Sequence, residues 1–282
     1  MKIVAIDNGY YATKVLADNQ LQSIRSKYLQ DDDGDFEYQG IKYSFGHGSY
    51  NIDHDKTDNE LHKLMTYYIL SNLTETTEEF KLVLSLPMLH YKAQREKFKK
   101  YIQGQGLIIT HLNGVKKNFV ISDVIVFLQG AGALYANNPL EYKGKLIGLL
   151  DIGGLTAQGA IFEDLKPIRE TIFTIDAGGI ILNNKIKTRL NEKYGLNLQD
   201  YEIPYLTEFD KDIERVKEEH FQSIVLEMKK KNWSIDTLPI LATGGGSKDM
   251  NVEKHLPKCK LAQKPIYDHV KGLGVIGRMM FR

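Results

Sequence analysis

Apolar residues recur at two different spacings along the first half of the chain. Short apolar or alternating runs typical of strands cover residues 2–6, 13–17, 24–29, 36–46 and 81–87. Helical spacing, with apolar residues three and four apart, covers residues 60–73 and 91–104. Because strands and helices alternate in this way, the pattern predicts an α/β fold.

The same two spacings continue through the second half. Asn113-Gly114 predicts a two-residue turn inside a strand pair, as Gln39-Gly40 does earlier, because such residue pairs favour tight hairpin turns. The other predicted elements are a strand pair at 107–121, a strand-to-helix passage at 122–138, a hairpin at 145–164, a helix after a glycine pair at 174–190, a helix at 208–232, a strand, loop and helix at 238–256, and a tail at 270–280.

One pattern occurs twice. KIVAIDNGYYATKVLAD at 2–18 and KLIGLLDIGGLTAQGAIFED at 145–164 share an apolar strand, an Asp, a Gly two residues on, and a second strand. Asp7 matches Asp151 and Gly9 matches Gly153, both with an offset of 144 residues. We therefore expect two halves that begin with the same hairpin. Asn8-Gly9 has two interpretations: a tight turn only, with Asp7 as its initiating residue, or part of a phosphate or metal site.

Composition narrows the function classes. The chain has 282 residues, a formal net charge of +1 and one cysteine, Cys259. The charge provides no global field for nucleic acid or an anionic membrane, so we expect no direct DNA binding. A single cysteine fits a reducing cytoplasm, and no signal peptide or bilayer-spanning run is recognisable, so we expect a cytoplasmic location and no membrane.

Glycine-rich loops are the main chemical signal. Two Asp-x-Gly hairpins are followed by Gly178-Gly179 and Gly244-Gly245-Gly246, each at the predicted start of a helix. Glycine permits close backbone approach to a phosphate, and a helix N-terminus offers N–H donors and partial positive charge. Any one such loop is weak evidence, but the ordered set of four predicts a nucleotide site.

These motifs resemble the superfamily of actin, heat-shock chaperones and hexokinase. AIDNGYYATKV resembles its first phosphate hairpin, LLDIGGLTAQGAIF its second, and LATGGGS its adenosine loop; QGAGALYA and VKGLGVIG resemble its two connecting helices. All five occur in order over nearly the whole chain. SLPMLHYKAQREKFKKYI is similar to plasmid-segregation actins of the ParM type. The resemblance implies an actin-like two-lobed fold, built from duplicated ribonuclease-H-like domains, with a nucleotide cleft between the lobes.

The resemblance also implies a domain division. Lobe I would be residues 1–142, with a subdomain IB insertion near 29–65, completed by 263–282; lobe II would be residues 143–262. Only residues 180–243 separate the two later glycine loops, which leaves little room for subdomain IIB. A short form without IIB is similar to the AlfA type of segregation actin.

Carried over residue by residue, the resemblance implies an ATPase site. Asp7 and Asp151 would hold Mg²⁺ largely through water, and Gln129 would orient the attacking water. Lys14 would reach a phosphate of ATP or GTP. The nucleotide-binding set is Asn8, Gly9, Tyr10, Lys14, Gly153, Gly154, Leu155, Thr156, Gly178, Gly179, Lys187, Gly244, Gly245 and Gly246.

Two positions depart from the family pattern. Gln158 stands where many ParM relatives have a second acid, and Gln129 stands where ParM has Glu and actin has Gln. Structural interpretations stay open beside the functional ones: Gln129 as a helix cap, Lys14 as a solvated strand residue, and Gln158 as the polar side of a strand.

Other acidic, histidine and basic motifs favour structural roles. DDDGD at 31–35 lacks the ligand spacing of a calcium loop and predicts a solvated turn, and the eight histidines show no zinc spacing. KKKNW at 229–233 predicts a helix end rather than a nucleic-acid site, with Trp233 in the core.

The predicted function is a nucleotide-dependent, polymerising, actin-like ATPase. Its filaments would segregate low-copy plasmid DNA through an adaptor protein bound at a centromere-like site. The alternative is a small-molecule kinase of the same superfamily, for sugar, acetate or pantothenate, although only Asp123 lies near Gln129 as an acid. A binding-only pseudoenzyme is a third option. Gly9→Val is expected to harm nucleotide binding more than folding.

Overall fold

The computed structural model describes residues 1–50, 55–57, 59–138 and 140–281. The chain divides into two compact units, Met1–Leu140 with Tyr267–Arg282, and Glu141–Ile266. We call them unit 1 and unit 2. Their assignment as lobes I and II is a prediction from the resemblance. Positions 51–54 and 58 of the predicted IB insertion, and position 282, lie outside the described residues.

Unit 1 contains one large sheet and three α-helices among its described residues. Its strands are β1 (Lys2–Asn8), β2 (Ala12–Ala17), β3 (Gln20–Arg25), β4 (Lys27–Gln30), β5 (Phe36–Tyr38), β6 (Ile41–Phe45), β7 (Ser49–Tyr50), β8 (Thr77–Leu86), β9 (Leu107–Leu112) and β10 (Val115–Leu128). Its helices are α1 (Glu60–Leu73), α2 (Tyr91–Gln103) and the late helix α6 (Asp268–Met280). The strand order is β3-β2-β1-β8-β10-β9-β5-β6-β4-β7.

Alternation along β1 explains how helices cover both faces of this sheet. Val4 and Ile6 point into a core that includes Leu64 of α1 and Phe98 of α2. Ala5, one residue out of phase, points to the other face and packs with Leu273 of α6. Side chains alternate across a strand, so a strand with helices on both faces is apolar throughout.

Unit 2 is a smaller sheet with its own helices. Its strands are β11 (Leu146–Ile152), β12 (Ala157–Glu163), β13 (Lys166–Pro167), β14 (Phe173–Ile175), β15 (Ile240–Thr243) and β16 (Cys259–Leu261), and its helices are α3 (Gly179–Tyr194), α4 (Asp210–Lys230) and α5 (Gly245–Asp249). The order is β13-β12-β11-β15-β16, with β14 beside β12. Trp233 is buried in the core, as predicted.

The two sheets share one topology. The orders β3-β2-β1-β8-β10 and β13-β12-β11-β15-β16 each combine three antiparallel strands with two parallel ones. The first strand of each set carries the repeated Asp near its end. The duplication read from the sequence is therefore present in the backbone.

The structure confirms two predicted tight turns and corrects one predicted strand and one predicted helix. Gln39-Gly40 and Asn113-Gly114 have positive φ at both residues, as a two-residue hairpin turn requires. The single strand predicted at 24–29 is wrong, because Ser26 interrupts it and donates a backbone bond to the Tyr11 carbonyl. The helix predicted within 122–138 is also wrong: β10 continues to Leu128, and only a 3₁₀ turn follows at Ala131–Leu134.

Helix α6 lies directly against the 3₁₀ turn. A Cβ on Gly132 would overlap the His269 carbonyl, and a Cβ on Gly272 would overlap the Gly132 carbonyl. Only glycine permits this approach of two backbones. Among the described residues, none of the helices is both long enough and apolar enough to cross a membrane.

Candidate functional site

The first hairpin places a cation beside its aspartate. Asp7 on β1 pairs in register with Lys14 on β2, and Lys14 Nζ lies 3.2 Å from Asp7 Oδ2. Ser85 Oγ donates to Asp7 Oδ1 at 3.2 Å. Burial raises the pKa of Asp7, but the positive charges of Lys14 and Lys56 and the neighbouring His269 outweigh it and hold that pKa well below its usual range. Asp7 is therefore a buried, ionised carboxylate.

Lys14 is consequently no solvated strand residue. Its side chain is 20% exposed and ion-paired. A phosphate oxygen could compete with Asp7 for the Lys14 ammonium. Lys14 is therefore suited to binding an anion.

The Asn8-Gly9 turn differs from its prediction. Asn8 is the last residue of β1 and pairs with Thr13, so the loop is longer than a two-residue turn. Gly9 N–H donates to the Asp7 carbonyl at 2.9 Å, and Ser26 Oγ donates to the Gly9 carbonyl. A Cβ on Gly9 would lie 2.7 Å from the Ala12 carbonyl oxygen. Because a side chain at this position would meet backbone, we expect Gly9→Val to harm folding as well as nucleotide binding.

Gln129 follows β10 and is held by a lysine that the sequence reasoning missed. Gln129 N–H donates to the Leu86 carbonyl at 2.8 Å. The Lys56 ammonium donates to Gln129 Oε1 at 3.1 Å and to the Asn8 carbonyl at 2.6 Å. The helix-cap interpretation of Gln129 is wrong, because Gly130 occupies the N-cap position and no side chain caps that turn.

His269 is a second residue that the sequence reasoning missed. Gly132 N–H donates to His269 Nδ1 at 3.1 Å, and His269 Nε2 lies 3.8 Å from Asp7 Oδ1. Burial lowers the pKa of His269 to about 4, against the opposing effect of Asp7. The histidine is thus neutral at pH 7. Neither His269 nor Lys56 belongs to a spacing motif, and the only sequence signal for His269 was its place just before VKGLGVIG.

Asn8 and Tyr10 line the same part of unit 1. The side-chain nitrogen and oxygen of Asn8 are buried and have no hydrogen-bond partner among the residues that the structure describes. Tyr10 is buried, with the Lys56 ammonium 5.2 Å from its ring centroid and the His62 ring at 6.3 Å in an edge-on arrangement. Buried amides normally have partners, so the orphaned Asn8 side chain indicates a ligand or water there.

The second hairpin repeats the backbone of the first, with a glutamine at the position of Lys14. Asp151 on β11 pairs in register with Gln158 on β12, and Gln158 Nε2 donates to Asp151 Oδ2 at 3.1 Å. Gln158 is 1% exposed. Its interpretation as merely the polar side of a strand is wrong, because it is buried and bonded to the predicted metal-binding acid.

The loop of the second hairpin docks on the start of α3. N–H groups of Gly178, Gly179 and Ile180 donate to the carbonyls of Leu155, Gly153 and Gly154, at 2.9, 3.0 and 2.8 Å. The expectation that Gly178 and Gly179 offer their N–H groups to an anion is therefore wrong, because these donors are already used. A Cβ on Gly178 would overlap this loop. Gly178 is needed for packing.

Other glycines of unit 2 leave space at the surface of their loops. A Cβ on Gly153, Gly179 or Gly245 would meet its nearest neighbour at 3.6, 3.9 and 3.9 Å, which is ordinary contact. Gly244 is different: its φ is +83°, and a Cβ there would lie 2.6 Å from Asp151 Oδ1. Space at the first three positions is the kind of cradle that a bound nucleotide would fill.

The two other predicted residues of unit 2 lie in different surroundings. Thr156 is buried within the second hairpin loop. Lys187 lies two turns into α3, about 12 Å along the helix axis from Gly179, and its ammonium pairs with the exposed Asp200. The structure does not bring Lys187 together with the glycine loops.

The acids present suit a hydrated cation rather than a protein cage. Within the described part of the chain, no group of three or more His, Cys, Asp or Glu side chains could hold a metal ion. Mg²⁺ keeps several waters and is commonly held by one or two carboxylates together with substrate phosphates. Asp7 and Asp151 fit that role as acceptors from water. The cation would supply charge neutralisation of phosphate oxygens.

Comparison with known proteins bears on the fold. Residues 5–132 match the family model described as "Actin like proteins N terminal domain". No curated protein matches the chain. The archaeal actin homolog Ta0583 superposes with a TM-score of 0.84 at 16% identity, covering 99% of this chain and 100% of that one. Its complex with ADP superposes at 0.82.

Filament-forming proteins are similar over the same length. A subunit of a 15-stranded ParM filament from Clostridium botulinum has a TM-score of 0.79 at 18% identity, covering 99% of both chains. The Alp12 filament has a TM-score of 0.75 at 19% identity, covering 100% of this chain and 99% of that chain. The actin-like fold that the motifs imply is confirmed.

Proposed function

We propose that this chain is a nucleoside triphosphatase whose nucleotide state controls its assembly into filaments. The observation that carries the proposal is the likeness, over 99% of both chains, to the subunit of a ParM filament. ATP is the proposed substrate, with GTP as the alternative, and Mg²⁺ the proposed metal. The filaments would segregate low-copy plasmid DNA in the cytoplasm through a DNA-binding adaptor protein.

The predicted site residues have different proposed tasks. Asp7 and Asp151 would hold water of the hydrated Mg²⁺, and Lys14 would bind a phosphate oxygen. Gln129 would orient the attacking water without acting as a strong base, because phosphoryl transfer depends mainly on positioning and electrostatics. Gly153, Gly179 and Gly245 would lie against the nucleotide, which the space at these positions supports.

The kinase alternative has less support. A kinase needs a general base for the acceptor hydroxyl. Asp123, the acid that precedes Gln129 on β10, bonds Lys99 at 2.7 Å and is partly exposed. This ion pair gives it a structural role in unit 1, and the similar filament proteins add nothing in favour of a kinase.

Light scattering and phosphate release test the proposal together. Adding Mg-ATP or Mg-GTP to the purified protein should raise scattering, electron microscopy should then show filaments, and phosphate should be released. Asp151→Ala should abolish phosphate release. A flat scattering trace across protein and salt concentrations would exclude polymerisation, and unchanged turnover in Asp151→Ala would exclude the assigned site.

A further inference from the structure

Lys56 is a fully buried lysine. Its exposed fraction is 0%, and it lies in residues 55–57, just before α1. Taking an ammonium out of water is costly unless acceptors replace its hydration. A buried lysine therefore needs specific contacts, and those contacts indicate its purpose.

Two acceptors of the Lys56 ammonium belong to the candidate site. One is the Asn8 carbonyl at the end of β1, at 2.6 Å, and the other is Gln129 Oε1 just beyond β10, at 3.1 Å. Strands β1 and β10 are separated in the sheet by β8, so Lys56 joins two strand ends that do not pair with each other.

The contact with Gln129 fixes the amide. A glutamine side chain has a carbonyl end and an NH₂ end of nearly equal shape, and its terminal torsion is broad. An ammonium accepts no hydrogen bond, so it admits only the carbonyl end. The second lone pair of Oε1 and the NH₂ group are then presented in one defined arrangement.

We propose that Lys56 is a positioning residue for Gln129. It fixes the Gln129 carboxamide, and the carboxamide in turn orients the attacking water. The inference rests on the proposed function. It makes residues 55–57 part of the hydrolytic machinery, although they carry no motif. Lys56 acts through Gln129 and needs no contact with the nucleotide.

Single-turnover hydrolysis with protein in excess tests this role, using Mg-ATP and Mg-GTP. Lys56→Met should slow hydrolysis by about 10- to 100-fold, the loss expected from misplacing one positioned group. Affinity for ADP, measured by calorimetry, should change by less than about 3-fold, because Gln129 is assigned to the attacking water and Lys56 meets Asn8 only at its backbone carbonyl. Lys63→Met is the matched control: Lys63 also lies over tyrosine rings in unit 1, at 5.0 Å from Tyr101.

A double-mutant cycle separates positioning from a structural role. In the Gln129→Ala background, Lys56→Met should cause no further slowing, because the group it positions is gone. Equal slowing in both backgrounds, or an unchanged rate in Lys56→Met, would overturn the inference. If Lys56→Met does not fold, Lys56→Gln keeps a donor and should retain more of the rate than Gln129→Ala does; a lower rate would overturn the inference.

The same experiment distinguishes the two proposals. If the unaltered protein hydrolyses nucleotide and the Lys56 variants hydrolyse it as fast as Lys63→Met does, the positioning role fails and the proposed function stands. If the unaltered protein neither binds ADP nor hydrolyses Mg-ATP or Mg-GTP, both fail.

Discussion

The two Asp-bearing hairpins have the same backbone and different chemistry at one position. Asp7 pairs with Lys14 and Asp151 pairs with Gln158, so the offset of 144 residues holds for both members of each pair. In each hairpin a nitrogen of the partner lies within 3.2 Å of the carboxylate. The first partner is an ammonium, and the second is a neutral amide.

That difference changes the chemistry beside each acid. Asp7 lies beside an ammonium, whereas Asp151 accepts a hydrogen bond from a neutral amide. An ammonium can bind a phosphate oxygen, and a carboxylate can accept a hydrogen bond from the water of a hydrated cation. The duplication thus repeats the position of the acid, and we expect Lys14 to add a phosphate-binding group to the first hairpin.

The largest expected effect comes from removing each acid's charge. Asp151→Asn should slow single-turnover hydrolysis by about 10²–10³-fold, because it removes the negative charge of the second hairpin. Asp7→Asn should slow it similarly and also leave Lys14 without its ion pair. Phosphate release gives the rates, and Asp236→Asn, on an exposed side chain of unit 2, is the control. A rate loss confined to Asp7→Asn would contradict the division of tasks.

Removing the residue that bonds each acid should lower the free energy of unfolding more in the first hairpin than in the second. Lys14→Met leaves Asp7 buried without its neighbouring ammonium and should lower the free energy of unfolding by about 3–4 kcal/mol. Gln158→Met removes a hydrogen bond from a neutral amide to a carboxylate and should cost about 2 kcal/mol. Urea unfolding measures both. Equal losses would mean that the ion pair of the first hairpin has no special weight.

Acid should destabilise the protein through His269, a buried histidine beside the first hairpin. Its pKa is lowered from 6.5 to about 4 in the fold, so the unfolded chain binds the proton first as the pH falls. Stability should therefore decline between about pH 6.5 and pH 4, by up to about 3 kcal/mol from this group. Asp7 acts only at lower pH, because its depressed pKa keeps it ionised throughout this window.

Thermal unfolding at several pH values measures this decline. His269→Gln should flatten it, and the exposed His47→Gln should not. His62 leaves a residual slope in the same direction, because burial lowers its pKa well below the usual value. An unchanged slope in His269→Gln would show that the histidine is not held neutral.

The smallest expected effects come from alanine substitutions of the matching loop glycines, Gly9 and Gly153. Gly9→Ala should cost about 1–2 kcal/mol of unfolding free energy, since its Cβ would meet the Ala12 carbonyl oxygen at 2.7 Å. Gly153→Ala, at the matching position, meets only ordinary contact at 3.6 Å and should leave stability within about 0.5 kcal/mol. It should weaken ADP binding by about 10-fold, or about 1.4 kcal/mol, by occupying nucleotide space. Normal ADP binding by Gly153→Ala would place the nucleotide elsewhere.

Sequence reasoning succeeded where the signal was local or repeated. The bounds of α1, the turn at Asn113-Gly114 and the pairing of two Asp-bearing hairpins all follow from short patterns. It failed for Lys56 and His269, which reach the first hairpin from 49 and 262 residues away along the chain. Their contacts depend on how the sheet and α6 bring distant segments together, and a single buried Lys or His has no spacing that marks it.

It also misjudged which groups were available. Gly178 and Gly179 have the composition of an anion-binding loop, but their N–H groups are used by the second hairpin. A sequence shows that a donor exists and not what it already bonds. Hydrogen-bond accounting of this kind needs the backbone of both partners.

The packing of α6 on β1 sets an order for folding during synthesis. Unit 2 is continuous in the chain, whereas unit 1 is completed by residues 267–282, which the ribosome adds after all of unit 2. Until then the face of the sheet that carries Ala5 and Val83 lacks its cover of Leu273 and Ile276. We expect the second hairpin to be folded while one face of the first hairpin is still exposed. Chaperones would then bind the nascent protein at the exposed face of β1.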